Sequence, residues 1–396
     1  MAVCGKIIGM ATPKISRALF ILYLVGFLFA LNQALPAYIN STFLSGFMTE
    51  KTVGMIYAFA SAITVALFFL LPRLLRRFGN YQLACRFFIL DAIAMFGLAV
   101  SHSFWLAVGF FVCVFVSTFM LAFTLDIFLE SNSRDSRTGS IRGVYMTVIN
   151  SAWVFAPLLA GFILSDGDYW KIYLAGAALV LPALFLLRGG FGKFKDPPYK
   201  NIAVRAALKN IWRQRDLFRI FSISFLLGFF YTWMIIYTPI YLHQQLGFSW
   251  QTIGLIFTIM LLPFVLTETP LGKLADKKWG EKEILSLGLI IMAFSTAVMA
   301  FVSSTSIALW AALLFTTRIG ASAVEIMSET YFFKKVQSSQ ADIISLYRAT
   351  RPAAYVVGPL IASALFIFVD FQMIFLALGL IMLGGLFFSL RLKDTL

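Results

Sequence analysis

Charged residues, histidines and cysteines are all scarce in this sequence of 396 residues. Asp, Glu, Lys and Arg make up 13% of the chain while 60% is hydrophobic, which leaves too few charges to cover a water-facing surface. Two histidines and three cysteines, none in a CxxC pair, predict neither a metal site nor a structural disulfide. P-loop, HExxH and GxSxG patterns are missing as well, so we expect neither an enzyme nor a cofactor.

Hydrophobic runs, in contrast, recur along the whole chain. A hydrocarbon core about 30 Å thick needs roughly 20 apolar residues per helix, and continuous runs without polar alternation favour helices over barrel strands. The sequence therefore predicts an all-α integral membrane protein with twelve transmembrane helices in a lipid bilayer. The predicted spans are 17–39, 52–71, 83–100, 104–128, 144–165, 171–187, 220–242, 251–270, 285–302, 306–328, 344–368 and 371–390.

The formal net charge of +14 reflects where the basic residues lie relative to these spans. If the amino terminus is inside, 29 of the 32 Lys and Arg residues fall on that face, two fall on the other face, and Arg318 lies within a span. Because basic loops stay in the cytoplasm, the sequence predicts both termini there, in a prokaryotic inner membrane. The same distribution argues against nucleic acid as a partner.

The two halves of the sequence resemble each other at an offset of about 200 residues. LPAYI (35–39) matches TPIYL (238–242), and SAWVFAPLLA (151–160) matches AAYVVGPLIA (353–362). Such ordered matches are typical of transporters built from duplicated bundles, so we expect two pseudo-symmetric six-helix bundles. The predicted domains are an N-terminal bundle (1–187), a cytoplasmic basic linker (188–219) and a C-terminal bundle (220–396).

The loop after the eighth span has the sequence GKLADKKWG. Its Gly, Leu, Asp, basic residue and second Gly resemble the cytoplasmic loop signature of the major facilitator superfamily, and the resemblance extends over essentially the whole chain. The first half departs from this signature, with Pro72 in place of the leading Gly and Arg76 in place of the acid. The resemblance implies two halves that rock about a midplane site and offer it to each side in turn. The residues that carry it are Gly272, Leu274, Asp276, Lys277 and Gly280.

The fifth span resembles the antiporter motif of the same family, in which small residues and a Gly-Pro pair recur at fixed spacing. Alanine stands at three of the expected glycine positions, and the second half has a Gly-Pro pair of its own. The motif favours efflux, with duplication of the bundle as the alternative explanation. The predicted helix-packing residues are Gly143, Pro157, Gly161, Gly358 and Pro359.

Charged residues cluster at the inner ends of the spans. Such charges suit a latch, because the free energy of pairing changes when water enters. Two pairs of carboxylates, Asp126 with Glu130 and Glu325 with Glu329, lie four residues apart on one helical face and repeat after 199 residues. We predict a gating role, with static neutralisation of the surface as the alternative. The predicted gating residues are Gly272, Asp276, Lys277, Arg76, Arg77, Asp126, Glu130, Arg142, Glu329, Arg348 and Arg351.

Arg318 is the one basic residue near the middle of a predicted span. An ionisable group there costs several kcal/mol and is a functional candidate by default. Its positive charge would suit an anionic solute, or it pairs internally and fixes helix packing. Amides and aromatic rings on spans that line the cavity in the family resembled complete the predicted solute site, although aromatic residues are also common at lipid interfaces. The predicted site residues are Arg318, Asn32, Gln33, Asn150, Trp233 and Tyr237.

Three carboxylates are candidates for proton coupling. Asp91 and Glu268 have no acidic counterpart in the other half, and Glu325 lies on the helical face of Arg318, seven residues further on. A carboxylate in a low-dielectric site can carry a proton across a transport cycle. The alternative is that Asp91 and Glu268 lie at the cytoplasmic rim.

These features together predict a secondary active transporter that works by alternating access on a small-molecule solute, as a monomer. Proton-coupled efflux of a small organic or amphipathic compound is the first hypothesis. Proton-coupled symport of a sugar or organic anion is the alternative, favoured if Arg318 faces the cavity. A non-transporting membrane receptor or scaffold is the alternative from another class.

Overall fold

The computed structural model describes most of the chain as helices joined by short turns. No residue in the described ranges belongs to a β-strand. The described residues are 16–132, 138–197, 199, 204–267, 270–271, 274–275, 279–336 and 341–393.

The first half of the chain forms six spans and one short helix. Between the first two spans, the short α2 turns the chain back into the membrane. The helices are α1 (Arg17–Ala37), α2 (Asn40–Ser45), α3 (Glu50–Phe78), α4 (Asn80–Ala99), α5 (Phe104–Ser131), α6 (Thr138–Ile163) and α7 (Tyr169–Phe191).

The second half repeats this arrangement after a linker helix, α8. A π-helical turn, Tyr241–Gln245, ends the first span of this half. The helices are α8 (Val204–Arg213), α9 (Arg215–Ile240), α10 (Trp250–Leu266), α11 (Gly280–Met299), α12 (Ile307–Lys335), α13 (Ala341–Arg348), α14 (Thr350–Leu365), α15 (Met373–Gly384) and α16 (Leu386–Ser389).

The described helices account for all twelve predicted spans. Within the described ranges, nine segments are long and apolar enough to cross a membrane, and two shorter apolar segments, Trp250–Leu266 and Met373–Ser389, match the eighth and twelfth spans. Helix α14, with α13 before it, matches the eleventh. The prediction of an all-α membrane protein built from two pseudo-symmetric six-helix bundles is confirmed.

Serine side chains begin three of the spans. Ser16, Ser249 and Ser306 each accept a hydrogen bond from the backbone N–H three residues further on, at 3.2, 3.3 and 3.4 Å. A side-chain oxygen at this position satisfies one of the backbone donors that the first helical turn leaves unpaired. These serines therefore fix where α1, α10 and α12 start.

Because the spans alternate in direction, the start of α1, the linker helix α8 and the end of α16 lie on one face of the molecule, which we call the linker face. Within the first half α1 packs on α6 and α7, and within the second half α12 packs on α10 and α11. Between the halves α3 packs on α14, and α6 packs on α10. A twofold axis that exchanges the halves also exchanges these two pairs.

Glycines bring the backbones of these interface helices close together. A Cβ added to Gly254 of α10 would touch the carbonyl oxygen of Pro157 in α6, and one on Gly161 would lie 2.7 Å from the Trp250 carbonyl. At the pseudo-equivalent interface, a Cβ on Gly54 of α3 would lie 3.3 Å from the carbonyl of Pro359. Close approach of small residues is the usual way in which membrane helices pack without a hydrophobic driving force.

The linker is fastened to the first half through Asp196. Its Oδ1 accepts hydrogen bonds from the Asn80 backbone N–H (2.7 Å) and the Tyr199 hydroxyl (2.5 Å). The chain turns between α3 and α4 at Gly79 with a φ of 74°, and a Cβ there would lie 2.5 Å from Asp196. Burial and the hydrogen bond to Asp196 both raise the pKa of the Tyr199 hydroxyl. The linker thus supplies an acid beside the loop in which Arg76 replaces the acid of the family signature.

Candidate solute-binding and coupling site

Arg318 lies in α12 where the two halves meet. The residue is 1% exposed, and its guanidinium stands over the rings of Phe230 and Tyr231, 5.1 and 5.8 Å from their centroids. The hydroxyl of Tyr38, on α1 of the first half, is a neighbour of the guanidinium. Nη1 of Arg318 is buried and has no hydrogen-bond partner among the described residues.

A wall of aromatic rings crosses from one half to the other beside Arg318. Tyr355 of α14 stacks on Tyr57 of α3, with centroids 6.5 Å apart and an interplanar angle of 22°. It also meets Phe115 and Phe119 of α5 edge to face, at 5.5 and 6.2 Å. Such rings bind planar or apolar groups well, so the wall is suited to the uncharged part of a solute.

Glu325 lies two turns from Arg318 on the same helix but binds other groups. The Tyr231 hydroxyl donates to its Oε2 at 2.7 Å, and Arg351 of α14 donates to its Oε1. The carboxylate of Glu325 is thus bonded to Arg351 and Tyr231. Among the described residues, Arg318 retains a positive charge without a carboxylate partner.

Nearer the linker face, further charges join the halves. Arg348 of α13 donates a hydrogen bond to Glu329 at 2.7 Å. The negative charge of Asp126, on α5 of the first half, attracts the guanidinium of the same arginine. Asp126 and Glu130 each have a polar or electrostatic contact of their own, so neither carboxylate is free. The arrangement places predicted gating residues of both halves at one junction, where opening on this face would separate them.

Asp91 lies within the first half, in α4. It is 0% exposed, and neither of its carboxyl oxygens has a hydrogen-bond partner among the described residues. The side-chain amide of Asn32 lies beside it and donates to the Gly176 carbonyl at 3.0 Å and to the Met95 sulfur at 3.3 Å. The Asp91 carboxyl is therefore enclosed by protein.

A chain of hydrogen bonds leads from Asn32 towards the other half. Gln33 donates to the Asn32 Oδ1 at 2.8 Å, and Thr118 of α5 donates to the Gln33 Oε1. Thr118 is partly exposed and precedes Phe119, which contacts Tyr355 of the second half. Polar side chains therefore connect the surroundings of Asp91 with the junction between the halves.

Two aromatic residues predicted for the solute site lie in helix contacts. The Trp233 indole N–H donates to the Gly358 carbonyl at 2.8 Å, which ties α9 to α14. The Tyr237 hydroxyl lies at Gly54, where α9 approaches α3. Asn150 is half-buried in α6.

The other predicted residues fall into three groups. Arg76 and Arg77 are exposed at the end of α3. Arg142 and Gly143 belong to α6, but the described part of the structure does not include their surroundings. The predicted residues outside the described ranges are Glu268, Gly272, Asp276 and Lys277.

The sequence profile of the Major Facilitator Superfamily matches residues 18–255 and 221–395, which together span nearly the whole chain. The chain belongs to the major facilitator superfamily. No curated protein sequence matches it. A solved structure of a bacterial homologue of the human lysosomal transporter Spinster, inward-facing and unoccupied, covers 96% of this transporter and 95% of its own chain at 13% identity, with a TM-score of 0.68.

Membership of this superfamily fixes the coarse function. The protein is a multi-pass membrane transporter of the secondary active kind, which moves a small-molecule solute by alternating access. The likeness to the Spinster homologue shows the fold and says nothing of the solute. The predicted family and the transport function are thereby confirmed at this level.

Sequence reasoning missed three residues at the centre of this superfamily member, namely Tyr38, Tyr355 and Thr118. Tyr355 follows Arg351 by one helical turn. Helical spacing from a charged residue would therefore have found Tyr355. No sequence signal brings Tyr38 to Arg318, because the two lie in different halves.

Proposed function

We propose that the transporter carries a small organic anion, which Arg318 binds between the two halves. The observation that carries the proposal is a buried guanidinium at the junction of the halves with no carboxylate partner among the described residues.

The physical argument starts from the cost of burying a charge. A cation held in a low-dielectric site without an anion is expensive, so buried charges are normally paired. A guanidinium also presents its donors in a planar fork that matches a carboxylate or phosphate. A solute anion would supply the partner that the described residues of the transporter withhold from Arg318.

Glu325 does not fill this role. Its two oxygens accept hydrogen bonds from Tyr231 and Arg351, and no bond between Glu325 and Arg318 is found among the described residues. The sequence hypothesis of an internal pair between Arg318 and Glu325 is therefore less well supported than that of a solute anion.

The aromatic wall supports a solute with a planar or apolar body. Tyr57, Phe115, Phe119 and Tyr355 offer ring faces and edges from both halves. We therefore favour an aromatic or otherwise flat carboxylate over a sugar, which would need more hydrogen-bonding groups than these rings provide.

The direction of transport depends on whether solute and proton move together or in opposite directions. We propose symport with protons, which drives uptake, in place of the efflux favoured by the sequence. The Gly-Pro residues that favoured efflux lie in helix contacts at both interfaces, so they carry no argument about direction. Efflux of an amphipathic compound remains the alternative, supported by the aromatic wall.

The orientation and oligomeric state that we propose follow the sequence. The linker face carries the basic segments, so we place it in the cytoplasm of a prokaryotic inner membrane. Both halves of the solute site come from one chain, which supports a monomer as the working unit.

Binding of paired compounds to purified protein tests the proposal. We would measure thermal stabilisation by hippurate, cinnamate, phenylacetate and salicylate, and by the uncharged amide of each. We expect at least one acid to raise the melting temperature and its amide to have no effect. Arg318→Met should weaken binding by about 1.5 to 3 kcal/mol, the usual contribution of hydrogen bonds to a charged group.

Arg391→Met is the matched control, because Arg391 is exposed and packs on Phe387, away from the site. This variant should bind as the wild type does. Equal stabilisation by acids and amides, unchanged in Arg318→Met, would refute the anion. Stabilisation by amphipathic cations instead would support the efflux alternative.

A further inference from the structure

We infer that the transporter moves one proton with each monovalent anion, because its two halves exchange positions when the buried core has no net charge. The inference rests on the proposed function and assigns the proton to Asp91. It adds a coupling rule and a stoichiometry that transport of an anion does not by itself require.

The first observation is the isolation of Asp91. Helix α4 packs against α3, α5 and α7, and it meets α1 through the rings of Phe88 and Phe29. Of the described residues, the polar groups that face the carboxyl are the Asn32 amide from α1 and, through that amide, the Gly176 carbonyl from α7. None of these groups is charged, so the ionised carboxylate adds a full negative charge to the core.

The second observation is the isolation of Arg318. Its guanidinium adds a full positive charge in the other half, and its described neighbours Phe230, Tyr231 and Tyr38 are neutral. Glu325 and Arg351 pair with each other and add no net charge. Among the described residues, the buried core therefore contains two lone charges of opposite sign, one in each half.

The third observation is a route for the proton. Thr118, Gln33 and Asn32 form a hydrogen-bonded chain that begins at the junction of the halves, and the Asn32 amide, which lies beside Asp91, ends it by donating to the Gly176 carbonyl. These polar groups can bond water but do not themselves bond the carboxyl. Water that carries a proton into the space between the halves would therefore meet polar side chains on the way to Asp91 instead of purely apolar packing.

Counting the charges gives the rule. The empty core has Asp91 ionised and Arg318 free, and its net charge is zero. The doubly loaded core has Asp91 protonated and an anion on Arg318, and its net charge is again zero. With the proton alone the core has one positive charge, and with the anion alone it has one negative charge.

A net charge makes closure of the core unfavourable. Closing the halves removes water, and a core with a net charge then has no compensating charge anywhere within it, which is costly in a low-dielectric medium. The neutral states, empty and doubly loaded, are then the ones that pass between the inward and outward forms. Solute and proton cross together, one of each, and the cycle as a whole moves no net charge.

Proteoliposomes containing the wild-type transporter test the rule without any substitution. Uptake would be measured for each radiolabelled carboxylate that stabilised the protein in the binding panel. We expect an inwardly directed proton gradient to drive accumulation, a potassium diffusion potential to leave the initial rate unchanged, and replacement of sodium by choline to have no effect. A rate that follows the membrane potential or sodium would overturn the inference while leaving anion transport intact.

Asp91→Asn separates exchange from net uptake. In this variant the anion-loaded core is neutral and the empty core is positive, so the loaded carrier can cross and the empty carrier cannot return. Exchange of internal for external carboxylate should remain within about twofold of wild type, while net uptake falls at least tenfold. Retained exchange also shows that the variant is folded.

The control is Asp370→Asn, since Asp370 is exposed in the turn before α15. It should keep both exchange and proton-driven uptake. Accumulation still driven by the proton gradient in Asp91→Asn would overturn the role of Asp91, as would equal loss of exchange and net uptake in protein that still binds the anion. If no carboxylate of the panel binds or is transported, the proposed function itself fails.

Discussion

The two halves of the transporter have the same frame and different polar residues. At the offset of 199 residues that aligns Asp126 with Glu325, Arg318 aligns with Phe119. At the offset of 203 that aligns the two LPAYI-like segments, Asn32 and Gln33 align with Ile235 and Ile236. The comparison shows that the two halves share their helices as a repeat and differ in their polar side chains. The first half has an acid and amides, and the second half has a guanidinium.

The two interfaces between the halves differ in a similar way. Gly54 and Gly254 are equivalent in the repeat, and each faces the carbonyl of an equivalent proline in the other half. Beside Gly254 the nearest atoms belong to the backbone of α6, whereas beside Gly54 they are the ends of the Tyr237 and Ser363 side chains. The α6–α10 contact is therefore the less adaptable of the two.

The largest expected effect tests this difference in packing. Gly254→Ala should destabilise the protein by about 1 to 3 kcal/mol, the usual cost of overpacking, because a backbone carbonyl cannot move aside. Gly54→Ala should cost less, since side-chain ends can shift. Melting temperatures of the two variants in detergent would measure the difference.

Gly109→Ala in α5 is the control, because a Cβ at Gly109 would meet no atom within 4 Å. It should leave the melting temperature unchanged. Equal destabilisation by Gly54→Ala and Gly254→Ala would mean that the two interfaces are equally rigid.

The next effect tests the division of polar residues. Gln33→Leu interrupts the hydrogen-bonded chain between Thr118 and Asn32, so proton-driven uptake should slow by about tenfold, which corresponds to roughly 1.4 kcal/mol in the barrier. Binding of the anion, measured by thermal stabilisation, should not change. Ile236→Leu, at the equivalent position of the second half, is the matched control and should affect neither quantity. Loss of anion binding in Gln33→Leu would assign Gln33 to the solute site, as the sequence analysis predicted.

The smallest effect concerns the loop between the second and third spans, in which the two halves differ in sequence. In the first half the acid comes from the linker, so Asp196→Ala should remove an acceptor from the first turn of α4 and destabilise the protein by about 1 kcal/mol. Tyr199→Phe should cost less, because the bond to Asn80 remains. Unfolding midpoints in denaturant would rank the variants, with Lys195→Ala as the control. No change in Asp196→Ala would show that the contact is not needed for stability.

Much of the fold was predictable from the sequence, for physical reasons. Apolar runs must be helical in lipid, and the repeat of 35–39 at 238–242 located the two halves. Helix ends were less predictable, because α3 continues to Phe78, seven residues beyond the predicted end of its apolar run. Polar residues can extend a helix into water, and hydropathy does not detect them.

The candidate site was predictable in part. Arg318 and Asp91 were identified because a charge in an apolar run is costly, which is a property of the sequence itself. The neighbours of Arg318 were not, since Tyr38 approaches it from 280 positions away in the chain. Trp233 and Tyr237 were predicted from residue type, which does not distinguish a ring facing a cavity from one packed against Gly358 or Gly54.

The fastening of Asp196 limits how far the halves can separate on the linker face. Tyr199 is held by Asp196 and packs with Leu71 and Leu75 of the first half, while α8 packs on α9 and α13 of the second. Five peptide steps join Tyr199 to the start of α8, a reach of at most about 18 Å. While both contacts hold, Tyr199 and the start of α8 can therefore lie no further apart than this reach when the halves move on the linker face.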